Sequence, residues 1–294
     1  MASGIPFPDI SPVLVEIPLG FTTLPIRWYA LAYIVGIWLG YQLVKRTLAR
    51  SELWRDNTPA MTAEQLEAFL TWIIFGVILG GRFGYVLFYG QGQFLSDPIS
   101  IFRVWEGGMS FHGGFMGVIV AGVLFCWKND ISMPGTADML ALGTPPGLLL
   151  GRIANFINAE LWGRPTDLPW GVIFPGSAAQ DCPNVNGPCA RHPSQLYEAM
   201  LEGILLGAVL IAMVYVGRWL KRPGVICGVF IFGYGLSRFT VEYFRQADAQ
   251  FITAENPLGQ IWRVGELGVT MGQLLSLPMV AVGLIVLIIS LRRV

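Results

Sequence analysis

The sequence predicts an all-α, polytopic membrane protein: seven transmembrane helices with an external cap or loop region. Three observations predict it. Charged residues are only 13% of the 294-residue chain and apolar residues are 54%. Mean hydropathy is +0.58. Apolar runs of about twenty residues, enough to cross a ~30 Å hydrocarbon core, recur along the chain. The zero net charge suggests no nucleic-acid partner, and so apolar a chain is not disordered.

The seven runs are residues 28–44, 68–89, 113–127, 137–157, 196–219, 225–244 and 269–291. They read as one integral membrane domain, 1–294. The third is short, and Pro145-Pro146 interrupts the fourth. The first twenty residues hold Asp9 and Glu16 but no Lys or Arg, so they lack the basic start of a signal peptide. The longest polar segment, about 158–195, carries Trp162, Trp170, His192, Cys182 and Cys189, and suggests a cap. A Cys182–Cys189 bridge is expected only if that segment faces an oxidising compartment. Cys126 and Cys227 fall in or beside apolar runs. No Cys/His spacing suggests zinc and no acidic cluster suggests magnesium, so no metal or cofactor is expected.

Basic residues orient the chain. One set of connecting segments holds ten of them (Lys45, Arg46, Arg50, Arg55, Lys128, Arg218, Lys221, Arg222, Arg292, Arg293), and the other set six. The positive-inside rule then puts the N-terminus outside and the C-terminus in the cytoplasm. Arg82, Arg152 and Arg238 lie inside the second, fourth and sixth spans, each roughly fourteen residues along, or ~21 Å at ~1.5 Å per residue. That is the outer half of the bilayer. His112 and Tyr29 open the third and first spans from the same side. The absence of a Lys in the last span removes a retinal Schiff base.

The sequence is organised around Gly151-Arg152-Ile153-Ala154-Asn155-Phe156-Ile157-Asn158-Ala159-Glu160-Leu161-Trp162-Gly163. It places Arg, two Asn and Glu where hydrocarbon demands apolar side chains, so these groups are expected to line a wet pocket. Arg152 and Asn155 share a helix face, and Arg152 must find an anion or several carbonyls. Tyr234, Arg238 and Glu242 form a second stripe at helical spacing, followed by Arg245. A structural Arg238–Glu242 or Glu242–Arg245 pair is expected there. The arginines outnumber easy partners at this depth, leaving a guanidinium for a phosphate. Arg82 is expected to pair with Glu198 or Glu202. His112, among glycines at a helix start, suits a general base. Ser110 is two residues away and does not face it on a helix, which argues against a Ser–His protease. A lipid or organic-anion transporter would use the same arginines, but no internal repeat relates the two halves.

The chain resembles the prolipoprotein diacylglyceryl transferases of bacterial inner membranes over nearly its whole length. The resemblance is carried by Trp28-Tyr29, the stretch Gly80–Tyr85, the stretch Gly107–Gly114, the run Arg191-His192-Pro193-Ser194-Gln195-Leu196-Tyr197-Glu198, and the stretches Tyr234–Phe239 and Val241–Gln246. Above all, residues 151–163 fit Gly-Arg-x-x-Asn-Phe-x-Asn-x-Glu-x-x-Gly at every fixed position. Cys182 and Cys189 lie outside these motifs. The resemblance implies transfer of the diacylglyceryl group of phosphatidylglycerol to the lipobox cysteine of a preprolipoprotein, with loss of glycerol phosphate. It also implies His112, Arg152 and Arg238 as catalytic residues; the arginines suit the phosphate, and the thiol either gives its proton to His112 as base or ionises in the arginines' field with no discrete base. Tyr29, Asn155, Asn158, Glu160, Gly163, Tyr234 and Glu242 would bind or position substrate. Phosphatidylglycerol, the preprolipoprotein signal peptide and membrane lipid are the implied partners. A site held within one chain would work as a monomer.

Overall fold

A computed structural model describes residues 4–20, 22–90, 94, 97–103, 107–182, 185, 187–253, 255–264 and 267–292. They form two compact units, 1–44 with 138–294, and 45–137. The structure is mostly helical: α1 Trp28–Leu48, α2 Ala63–Tyr89, α3 Phe111–Asn129, α4 Met133–Gly143, α5 Pro145–Ile157, α6 Ser177–Gln180, α7 Ser194–Tyr215, α8 Val225–Val241 and α9 Met271–Arg292. Helices α2, α3, α7 and α9 are long and apolar enough to cross a membrane, and α8 is a shorter apolar helix.

In the 45–137 unit, α2 begins at a capping box. Gln65 N–H donates to the Thr62 hydroxyl (3.1 Å), and Thr62 N–H donates to Gln65 Oε1 (2.9 Å). Lipid tails offer no hydrophobic drive for helix pairing, so close backbone contact must supply it. The glycines at 76, 80 and 84 of α2 do this against those at 113 and 117 of α3. A Cβ on Gly80 would sit 2.8 Å from the Gly117 Cα, and one on Gly84 2.7 Å from the Gly113 Cα. The seam ends in Phe69, Trp72 and Phe125, with Lys128 over the Trp72 ring.

In the other unit, the predicted span 137–157 is two helices. Pro145 and Pro146 start α5, where their missing N–H groups cost nothing, and Thr144 returns its hydroxyl to the Leu140 carbonyl (2.7 Å). The joint lies on α1, where a Cβ on Gly36 would come 2.8 Å from the Gly147 Cα. Residues Ala199–Leu205 of α7 are π-helical and lie against α5: a Cβ on Gly203 would meet the Leu149 Cα at 2.8 Å. Asp138, fully buried on α4, accepts from Gly224 N–H (2.7 Å) and Cys227 N–H (2.8 Å) at the start of α8. The positive end of that helix stabilises the carboxylate.

The all-α expectation is corrected by three two-stranded sheets. Strand β1 (Ile5–Pro6) pairs parallel with β4 (Val172–Ile173). Strands β2 (Val13–Pro18) and β3 (Thr23–Arg27) form an antiparallel hairpin, as do β5 (Gln260–Val264) and β6 (Leu267–Thr270). Each strand is at most six residues long, too short for alternation to stand out beside helical runs. The cap around 158–195 has its own small core: Val172, Phe174 and Ala179 packed by Phe7, Phe156, Ala159 and Trp162. Cys182 and Cys189 are joined by a disulfide.

Candidate active site

Five side chains from three helices and the turn after α8 meet around one buried carboxylate. Glu198, on α7, faces Arg152 of α5 (3.0 Å), Arg238 of α8 (3.6 Å) and Arg245 just beyond α8 (3.3 Å). Glu202, one turn along α7, lies 3.5 Å from the Arg152 Nη2. Glu242 pairs with Arg238 at 2.7 Å. Glu198 and Glu202 are buried, whereas Arg152 and Arg238 are 17% and 19% exposed. Solvent or a ligand therefore reaches the cationic side of the cluster. Within it, three guanidiniums meet three carboxylates. The expectation that arginines outnumber their partners is thus corrected, because Glu198 serves three of them. Of the two expected structural pairs, Arg238–Glu242 forms and Arg245 turns to Glu198 instead.

Glu242 is itself fixed. The Thr270 hydroxyl donates to its Oε1 (3.1 Å). Thr270 also caps α9, exchanging hydrogen bonds with Gln273 (3.3 and 3.1 Å). A Cβ on Gly272 would collide with the Glu242 carboxylate. This close approach to the first turn of α9 favours the negative charge.

The residues after α5 build the neighbouring wall. Asn155 donates to Glu160 Oε1 (2.7 Å), and Asn158 reaches the same oxygen at 3.4 Å. Gln195 donates to the Glu160 carbonyl at 2.5 Å. Ala159 and Leu161 adopt positive φ (51° and 57°) to make this tight reversal. Tyr29 and Tyr33, on the first turns of α1, join hydroxyls at 3.1 Å, and Tyr33 lies within electrostatic reach of Arg152 and Glu160. Tyr234 of α8 lies within reach of Arg152, Arg238, Glu198 and Glu202.

Gly163 closes a backbone clasp. Its N–H donates to the His192 carbonyl (2.8 Å), it bridges to Arg245, and a Cβ there would collide with the Phe244 carbonyl. The Arg164 N–H donates to that carbonyl (2.8 Å) and its Nε to the Arg245 carbonyl (2.9 Å). The cap is thereby joined to the chain that carries Arg245. Arg191, buried, ties the cap internally: it donates to the carbonyls of Ala179 (2.5 Å), Asp181 (2.9 Å) and Gly163 (3.2 Å) and stacks 4.1 Å from the Trp162 ring centroid. Trp170 Nε1 donates to the Tyr197 hydroxyl (2.8 Å), which is 3.1 Å from His192 Nδ1. Burial, reinforced by the Arg164 cation, lowers the His192 pKa.

The chain matches the family model for prolipoprotein diacylglyceryl transferase over residues 12–289. The chain belongs to that family. It is 61% identical to a phosphatidylglycerol–prolipoprotein diacylglyceryl transferase of Roseobacter denitrificans across 97% of both chains. A protein of the same name from Cereibacter sphaeroides is 60% identical over 99% of both. Another from Bradyrhizobium diazoefficiens is 48% identical over 98% of this chain and 94% of its own.

Within this diacylglyceryl transferase, Arg152, Arg238, Tyr234, Glu242, Asn155, Asn158, Glu160, Gly163 and Tyr29 all fall in one unit. His112 belongs to the other. It is exposed at the second position of α3, edge-on to Phe111 at 5.8 Å between ring centroids, and its nitrogens have no partner among the described residues. Ser110 caps that helix through Gly113 N–H (3.2 Å), so its hydroxyl serves the backbone. Arg82 corrects an expectation. It does not take Glu198 or Glu202, which arginines of their own unit hold. It donates instead to the carbonyls of Ser100, Ile101 (2.6 Å), Gly107 (2.6 Å) and Gly108 (3.1 Å), beside the rings of Phe94 and Tyr85. Sequence reasoning missed Glu198 as the centre of the cluster. The signal was present: Glu198 and Glu202 are two carboxylates at i, i+4 inside an apolar run, each needing a cation.

Proposed function

We propose that this chain transfers the diacylglyceryl group of phosphatidylglycerol to the lipobox cysteine of preprolipoproteins and releases glycerol phosphate, the first step of lipoprotein maturation. The observation that carries this reading is the full-length family match together with the Arg152–Glu198–Arg238 cluster. The seven predicted runs are the spans, with α1, the α4–α5 pair and α8 added to the four long apolar helices. The N-terminus is periplasmic, the C-terminus cytoplasmic, and the site opens toward the outer leaflet of the inner membrane. The Cys182–Cys189 bridge supports an oxidising environment for the cap.

The chemistry joins the substrate sulfur to the glyceryl carbon as the carbon–oxygen bond to phosphate breaks. Charge then builds on the departing phosphate. Arg152 and Arg238 hold that phosphate, and donors fixed in advance in a water-poor site stabilise the charge at little reorganisation cost. Glu242, set by Thr270 and α9, aims Arg238. Tyr29, Asn155 and Asn158 hydrogen-bond the glycerol head group, with Glu160 orienting both asparagines. Gly163 and Tyr234 shape the wall, and His112 takes the thiol proton, since the thiolate is the reactive form. The enzyme acts as a monomer and needs no cofactor.

Glycerol phosphate release by the purified protein, given phosphatidylglycerol and a lipobox peptide, tests the reading. Release should require the peptide thiol and vanish with a Cys→Ala peptide. Folded protein that binds the lipid yet never releases product would favour a lipid transporter instead.

A further inference from the structure

We propose that arrival of a phosphodiester anion at Arg152 and Arg238 is coupled to uptake of one proton by Glu202. This rests on the reading above, since it assumes those two arginines receive the lipid phosphate.

Charge balance limits what the cluster can accept. The ion-paired cluster holds Arg152, Arg238 and Arg245 against Glu198, Glu202 and Glu242, and its rim adds Arg164 and Glu160. An incoming anion therefore brings an uncompensated negative charge into a poorly solvated site, which is costly. Either the anion binds weakly or a carboxylate is neutralised.

The three carboxylates are not equally held. Glu198 has three guanidiniums within 3.6 Å. Glu242 has Arg238 at 2.7 Å, the Thr270 hydroxyl at 3.1 Å and the first turn of α9. Glu202 has one guanidinium, at 3.5 Å, shared with Glu198. Its Oε1 is fully buried and has no hydrogen-bond partner among the described residues. The groups facing it are Arg152 from α5, Arg238 and Tyr234 from α8, and Glu198 on its own helix. A phosphate drawing Arg152 toward itself removes Glu202's one direct cation and leaves two carboxylates one turn apart, where like charges destabilise each other. A proton from solvent on the unpartnered oxygen restores neutrality. No bond of the lipid changes in this step.

The test is calorimetric titration of short-chain dihexanoyl phosphatidylglycerol into the full-length protein in detergent at about pH 8. Two buffers of different ionisation enthalpy give the proton count. Expected are about one proton taken up per lipid and affinity weakening about tenfold per pH unit above neutrality. An infrared difference spectrum should gain a protonated-carboxyl band on lipid binding. Glu202→Gln, neutral and isosteric, should bind the lipid with no proton uptake and a flat pH profile. Tight binding with no uptake in the unmodified protein overturns the proposal alone, as does undiminished uptake in Glu202→Gln. If that variant fails to fold, the proton count and the infrared band of the unmodified protein decide. Folded protein that binds no phosphatidylglycerol overturns the parent reading, and this proposal with it.

Discussion

Arg82 and Arg152 are both guanidiniums set in apolar helices, yet they are held in opposite ways. Arg82 is almost wholly buried and gives its donors to four backbone carbonyls, with aromatic rings on its flanks. Those acceptors are neutral and belong to a loop that the arginine itself gathers, so replacing them with a ligand would dismantle the loop. Arg152 is partly exposed and rests on two carboxylates, of which Glu198 is shared with Arg238 and Arg245. Shared ionic contacts can be redistributed when a further anion arrives, because Glu198 keeps Arg238 and Arg245 if Arg152 turns away. A buried arginine is thus read by the kind of acceptor that holds it: fixed carbonyls mark a structural post, and shared carboxylates mark a group that can change partners. Asp138 extends the contrast to anions. Peptide N–H groups at the start of α8 hold it, about 20 Å along that helix from Arg238 at ~1.5 Å per residue.

The largest expected effect breaks the comparison at Arg152. Arg152→Lys keeps the charge but loses the planar fork that meets phosphate and carboxylate together. Turnover should fall at least ~100-fold, the scale of removing a preorganised donor at a developing charge, while the melting temperature in detergent changes little. Arg238→Lys should behave alike. A folded Arg152→Lys enzyme within threefold of the original rate, on the order of 1 kcal/mol or less of barrier, would mean that the cluster is structural too.

Arg82→Lys should give the reverse pattern. An ammonium reaches fewer of the four carbonyls, and buried acceptors left unpaired cost about 1–3 kcal/mol each. Loss of at least ~2 kcal/mol of stability is expected, seen as an earlier thermal transition and fast proteolysis between α2 and α3. Specific activity of the surviving folded protein should drop far less than in Arg152→Lys. Unchanged stability with lost turnover would move Arg82 into the catalytic class and erase the contrast.

How much of this was legible in the sequence follows from the same physics. Hydropathy found the helices because crossing lipid demands long apolar runs, and α2, α3, α7 and α9 lie where such runs were expected. The intramembrane arginines announced themselves because each must be satisfied. What remained hidden was the pairing. Arg82 lies 25 residues from Gly107 and Arg152 lies 50 residues from Glu202, and no local rule says which distant partner a guanidinium takes. Glu198 looked like one candidate partner among several until the π-helical stretch beside it and the turn after α8 set three arginines around it. The short strands escaped for a different reason. Thr23–Arg27 and Gln260–Val264 are defined by their partner strands, not by a pattern of their own.

The smallest expected effect sharpens the comparison at its edge, where the cap meets the chain bearing Arg245. His192 sits at this clasp with its pKa lowered, first by burial and then by the Arg164 cation. Trp170 donates to the Tyr197 hydroxyl, leaving that hydroxyl's own proton for His192 Nδ1, which accepts it only while the ring is neutral. An opened cap frees His192 to take a proton at its ordinary value of about 6.5, while the closed cap resists protonation until the pH is lower. The closed state is therefore fully favoured above that value and loses stability as pH falls through it. Amide exchange at Gly163, Arg164 and His192, whose N–H groups make the clasp, should report this. After correction for intrinsic rates, protection should be a few-fold lower at about pH 5.5 than at about pH 7.5. His192→Phe keeps a ring against Phe244, which lies 5.1 Å away between centroids, and should level the two values. Equal protection at both pH values in the unmodified protein would uncouple the clasp from His192. The backbone bonds of Gly163 and Arg164 would then hold the cap to this edge of the site with no help from the imidazole.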